Sequence, residues 1–128
     1  ALSWGVQRVC FYDSCPVMVH SMYEVLKTLP LESQNFALRQ GILPKTLTQF
    51  TDAQAVDIVF ADPPYGRDPC GLLSTIYRCT PSHVCLVWEG EDVLDDSALW
   101  TSFKILHHRH YVTFLRKNLP VGDSYALR

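Results

Sequence analysis

The run Ala55-Val56-Asp57-Ile58-Val59-Phe60-Ala61 leads straight into Asp62-Pro63-Pro64-Tyr65-Gly66, and this junction restricts the fold more than any other feature of the chain. Residues rich in β-branched and apolar side chains read as a buried strand. Two consecutive prolines cannot continue it, because each lacks the N–H a ladder needs and has its φ fixed by the ring. The strand therefore stops at residue 61, and a rigid polar turn projects beyond its carboxyl end. In open parallel sheets, ligands bind beyond the carboxyl ends of the strands.

The same plan recurs along the chain. Residues 6–12 form a short, mostly apolar strand segment that ends on Asp13-Ser14, and Pro16 suits the first turn of a helix capped by Ser14 or Cys15. Met18, Met22, Val25, Leu26 and Leu29 follow at helical spacing as one apolar stripe, closed by Pro30. Residues 35–40 are a second strand ended by Gly41, and residues 44–50 a short helix or turn. Residues 71–79 read as a helix and 83–88 as a strand ending on Glu89. Residues 102–106 and 110–115 are two strands close enough in sequence to pair antiparallel. This alternation predicts an α/β fold, a mainly parallel sheet covered on both faces, with an antiparallel pair at its carboxyl-terminal end. Asp13, Gly41, Asp62 and Glu89 all fall at carboxyl ends of strands.

The chemistry of Asp62-Pro63-Pro64-Tyr65 suits an amino group on a nucleobase. The prolines remove two donors and leave rigid carbonyl acceptors. A carboxylate and a proline carbonyl together accept both hydrogens of one –NH₂, which aims the nitrogen lone pair outward. Tyr65 offers a flat ring on which an unstacked base can lie. Reaction at that nitrogen is then chiefly a matter of positioning. The competing reading is a proline-rich turn that merely closes a core strand.

Composition narrows the remaining classes. With 48% hydrophobic and 19% charged residues, the chain is of globular type and not disordered. No apolar run reaches the roughly eighteen residues of a membrane span, and no signal-peptide pattern opens the chain. The five cysteines lack a C-x-x-C pair, so reduced thiols in the cytoplasm are expected and neither a disulfide framework nor structural zinc. The formal charge of −2, with no basic run, argues against a stand-alone nucleic-acid binder. His107, His108 and His110 lack partners at ligand spacing, and the acidic residues between Glu89 and Asp96 lack the pattern of a calcium loop, so no metal is expected.

On these residues the chain resembles the bacterial small-subunit ribosomal RNA guanine-N2 methyltransferases. Residues 56–66 match that family's motif IV. Ala1-Leu2-Ser3-Trp4-Gly5 is similar to the end of its first core helix and Val9-Cys10-Phe11-Tyr12-Asp13 to its second strand. Leu86-Val87-Trp88-Glu89 and Val112-Thr113-Phe114-Leu115-Arg116 are similar to its late strands. The resemblance spans residues 1–117 as a partial core domain, leaving 118–128 as a tail. It implies a class I, Rossmann-like methyltransferase fold that here lacks the first strand and its glycine-rich loop, together with the family's amino-terminal basic hairpin. It implies S-adenosyl-L-methionine as cofactor, with Asp13 receiving the ribose hydroxyls, Ser14 beside it, and Gly41 and Ile42 near the adenine, where the family usually has a polar residue. It implies Asp62, Pro63, Pro64 and Tyr65 as the catalytic turn, and ribosomal RNA or the small ribosomal subunit as partner. Without the cofactor loop, the chain as given is expected to bind S-adenosyl-L-methionine poorly. Two alternatives stand beside this reading: methylation of adenine N6 in DNA, and a non-catalytic methyltransferase-like domain that serves as an interaction scaffold.

Overall fold

The computed structural model describes residues 5–64 and 66–120. The expected helix end at residues 1–4, Tyr65 and the last eight residues lie outside them. The chain divides into two compact units, residues 1–52 and 53–128.

The first unit is one parallel crossover. Strand β1 (Val9–Asp13) leads into helix α1 (Pro16–Leu26), which returns to strand β2 (Phe36–Gln40), paired in parallel with β1 from Val9 opposite Phe36 to Asp13 opposite Gln40. Proline at the first helical position costs α1 nothing, since that N–H has no partner within the helix. Cys15, not Ser14, is the cap residue, and its N–H donates to Asp13 Oδ1 at 2.8 Å. A reciprocal pair closes the turn before β2: the Glu32 N–H donates to Asn35 Oδ1 at 2.8 Å, and the Glu32 side chain accepts from the Asn35 N–H, while Asn35 Nδ2 donates to the Gln7 carbonyl at 3.1 Å.

The apolar stripe of α1 is less covered than its spacing predicts. Leu26 is buried, whereas Met18 is 52% exposed, Val25 61% and Leu29 44%. A helix with its side chains is about 10–12 Å across. Two strands spaced about 4.8 Å apart present too narrow a surface to cover a stripe that wraps a third of it.

On another face of this small sheet, alternation brings Arg8, Cys10 and Tyr12 to one side of the chain, and Arg39 stands level with Tyr12 on β2. These residues converge on Asp52, whose side chain is only 9% exposed. Arg39 Nε donates to its Oδ2 at 2.9 Å, Tyr12 Oη donates to the same oxygen at 3.3 Å, and Arg8 Nη2 donates to Oδ1 at 3.4 Å. The Arg39 hydrogen bonds, ahead of the charge and Arg8, hold the Asp52 carboxyl below the usual carboxylate range. Burial first, and then the Asp52 charge, push the Tyr12 phenol up to about 12. The Arg39 guanidinium also lies 4.3 Å from the centre of the Phe50 ring. Several donors satisfy the largely covered Asp52 carboxylate, so that removing it would leave guanidinium groups without their anion.

The second unit is a four-stranded sheet in the order β3-β4-β6-β5. Strand β3 (Ile58–Ala61) pairs in parallel with β4 (Cys85–Gly90) through helix α2 (Cys70–Cys79). Strands β5 (Trp100–His107) and β6 (Tyr111–Lys117) form an antiparallel hairpin, and β6 also pairs antiparallel with β4. A bulge between Ser102 and Lys104 accommodates one extra residue in β5. The core gathers Leu73 and Ile76 of α2 with Val84, Leu86, Trp88, Trp100 and Leu115, and Leu86 and Leu115 have no exposed surface. Trp100 Nε1 donates to the Leu73 carbonyl at 3.2 Å, and its ring meets Tyr77 edge-on at 5.8 Å.

Two expectations are corrected here. Strand β3 begins at Ile58 and not at residue 55, because Asp52–Ala55 close a 3₁₀ turn that buries Ala53. The sheet is also not covered on both faces. Strand β3 has β4 as its one neighbour among the described strands, and Ile58 and Phe60 are 53% and 74% exposed. The strands of the two units form separate ladders among the described residues.

Candidate active site

Strand β3 delivers Asp62 one residue past Ala61, the last position paired with β4. Asp62 is exposed, Pro63 half-buried and Pro64 exposed, so the turn opens toward solvent. Gly66 takes φ +77°, a conformation that a side chain disfavours, and this bends the chain toward α2. The far end is anchored where Asp68 Oδ1 accepts the Cys70 N–H at 3.0 Å, a bond that lowers the Asp68 pKa. Strand β3 thus ends directly before Asp62, and α2 begins at Cys70 with that N–H bonded to Asp68. Tyr65, expected to be the stacking ring, lies outside the described residues.

Beside Asp62 the sheet carries a hollow of about 360 Å³, within the range of small-molecule sites, roughly 300–1,000 Å³. The register explains how it is built. Phe60, Val87 and Phe114 stand level on three adjacent strands, and Glu89 stands level with Val112. Residues two apart on a strand face the same way, so Glu89 joins Val87 on the face that carries Phe60. Both Asp62 and Glu89 line the hollow, with Phe60, Val87, Val112 and Phe114 as apolar walls. In the sequence Glu89 is a strand-end residue that opens an acidic stretch. Its position two residues after Val87, on the strand next to that of Asp62, is the signal that could have found it.

The other expected site residues lie in the first unit. The Gly41 N–H donates to the Asp13 carbonyl at 3.0 Å, which joins the carboxyl ends of β1 and β2. Asp13 is half-buried, with one carboxylate oxygen engaged by the Cys15 N–H. Ser14 is exposed and makes no cap bond. Gly41 has a packing reason to be glycine, since a Cβ there would overlap the Thr46 hydroxyl, which itself donates to the Ile42 carbonyl at 3.0 Å. Ile42, next to it, is 69% exposed. A carboxylate at the end of β1 and an exposed aliphatic side chain just past β2 are group types that ribose hydroxyls and a purine ring can meet.

No family model and no curated protein matches the sequence. Solved structures do. HI0767 of Haemophilus influenzae, a proposed methylase, superposes with a TM-score of 0.78 at 20% identity over 93% of this chain and 77% of that protein. The chain has the class I methyltransferase fold. Another structure with the methyltransferase fold, yhhF of Escherichia coli, also a proposed methyltransferase, gives 0.65 at 17% identity over 89% of this chain and 64% of that one. An rRNA methylase of Streptococcus thermophilus gives 0.61 at 14% identity, covering 88% and 74%. At such identities the likeness carries the fold and leaves the substrate to be argued from the site. No described helix is long and apolar enough to cross a membrane.

Proposed function

We propose that the chain belongs to an enzyme that transfers a methyl group from S-adenosyl-L-methionine to an exocyclic base amine, guanine N2 of small-subunit ribosomal RNA. The observation that carries the reading is the exposed Asp62-Pro63-Pro64 turn, held between β3 and α2 at the mouth of a hollow with apolar walls. In this reading the Asp62 carboxylate and a proline carbonyl accept the two amine hydrogens and hold the nitrogen lone pair toward the methyl donor. The ring of Tyr65 stacks on the base. Asp13, Ser14, Gly41 and Ile42 hold the cofactor, whose sulfonium supplies an electrophilic methyl group. The amine loses its proton after the transfer, so the residues must orient it and need not first deprotonate it. The domain is the core at residues 1–117, and the enzyme works in the cytoplasm on ribosomal RNA.

The test is methyl transfer to purified small ribosomal subunits, with nucleoside analysis of the product. Extended upstream through the cofactor loop, the protein should yield N2-methylguanosine, and Asp62→Ala in that version should lower the rate by about a hundredfold, the scale on which misplacing a reacting group acts. Equal rates would remove Asp62 from the mechanism. N6-methyladenosine, formed on DNA instead, would establish the other base.

A further inference from the structure

The base hollow is lined by two carboxylates and not one. Asp62 comes from the turn after β3, and Glu89 from the end of β4, the neighbouring strand. Glu89 is half-buried and stands level with Val112 on β6, with its strand paired on both sides. Both carboxylates therefore line the hollow at the carboxyl ends of adjacent strands, Glu89 within β4 and Asp62 one residue past β3. The remaining lining is apolar: Phe60, Val87, Val112 and Phe114. If Asp62 grips the base amine, the second carboxylate acts on whatever part of the base lies beside that amine.

Carboxylates at these positions accept hydrogen bonds and donate none. The purine edge that satisfies two neighbouring acceptors is one with two neighbouring donors. Guanine has such an edge, with the N1–H next to the 2-amino group. Adenine carries an amine next to a bare N1, which is itself an acceptor. A carboxylate set against that lone pair gains no hydrogen bond, loses its water and repels the ring nitrogen. A site made to bond an N–H rejects a ligand without it, because its own polar group is left unpaired.

We infer that Glu89 is a specificity residue that accepts the N1–H of guanine, so that Asp62 and Glu89 together read the two-donor edge and exclude adenine. The inference rests on the reading of Asp62 given above and adds to it the means of choosing the base.

Four nucleotides separate the two contacts: the 5′-monophosphates of guanosine, inosine, 2-aminopurine riboside and adenosine. Guanosine presents both donors. Inosine keeps the N1–H and lacks the amine. 2-Aminopurine keeps the amine and has a bare N1, and adenosine offers neither in that arrangement. Affinities are measured by chemical-shift titration of the isotope-labelled protein. The wild type should prefer guanosine to 2-aminopurine by about ten- to a hundredfold, the usual worth of a matched base contact. Glu89→Gln should bring that ratio close to one, because a glutamine amide can donate to a bare N1, while the guanosine-to-inosine ratio stays as it was. Asp62→Ala, which leaves the 2-amino group without that acceptor, should bring the guanosine-to-inosine ratio close to one and leave the guanosine-to-2-aminopurine ratio as it was. Amide spectra report that the fold is intact.

An unchanged guanosine-to-2-aminopurine ratio in Glu89→Gln, or adenosine bound as well as guanosine by the wild type, overturns the role of Glu89. Absence of measurable binding for all four also overturns it. The methyl-transfer assay on small subunits, run with the version extended upstream through the cofactor loop, then decides separately whether the reading of Asp62 falls as well: N2-methylguanosine that depends on Asp62 keeps that reading, and no product removes both.

Discussion

Replacing Asp52 by asparagine should loosen the first unit, and the loss should depend on pH in a set direction. The carboxylate is 9% exposed and accepts from Arg39, Tyr12 and Arg8. Asparagine keeps the volume and removes the charge, so charge-assisted hydrogen bonds worth about 1.5–3 kcal/mol become neutral ones worth about 0.5–1.5 kcal/mol. Arg39 and Arg8 keep 29% and 45% exposure, and water partly restores what they lose, which discounts the loss. The expected cost is about 1–2 kcal/mol at neutral pH. Because the folded carboxyl is held below its ordinary value, its contribution is complete above the unfolded carboxylate pKa. It disappears as pH falls through the lower folded value. Urea unfolding of wild type and Asp52→Asn, from neutral pH down to about pH 2, should give curves that differ at the top and converge at the bottom. Identical stabilities at neutral pH, or a gap that persists unchanged in acid, would refute the assignment of the cluster as a charge-dependent clamp.

Other outcomes follow from the packing. Trp100→Phe should cost about 1–3 kcal/mol in the same assay, combining the lost Nε1–H bond to the Leu73 carbonyl with the smaller ring in a fully packed core. Gly41→Ala should destabilise by about 1–3 kcal/mol through overlap with Thr46, and Thr46→Ala should relieve it. Additive costs in the double variant would show that the two side chains do not compete for that space.

Much of the element order was legible because it depends on local chemistry. Pro16 after Asp13-Ser14 set the start of α1, and Pro63 stopped β3 whatever packed around it. The two late strands, separated by a few residues, had little choice but to pair antiparallel. Boundaries were less legible. Residues 55–57 have strand-like side chains but enter β3 from a 3₁₀ turn, since burying Ala53 outweighs a weak local preference. The inward face of α1 was overestimated because periodicity reports which residues would accept burial, while the width of the sheet beneath decides how many receive it.

From its amino acids alone, this protein is an α/β chain with a rigid acceptor turn at the end of a strand. Proline geometry and hydrophobic period act within a few residues and need no partner. Only the tertiary structure set Glu89 beside Asp62 on one hollow, and Arg8, Tyr12 and Arg39 around Asp52. Those groups lie 13 to 44 residues apart along the chain, or on separate strands. What joins them is strand order and register, which are fixed by packing across the sheet and leave no trace in local sequence.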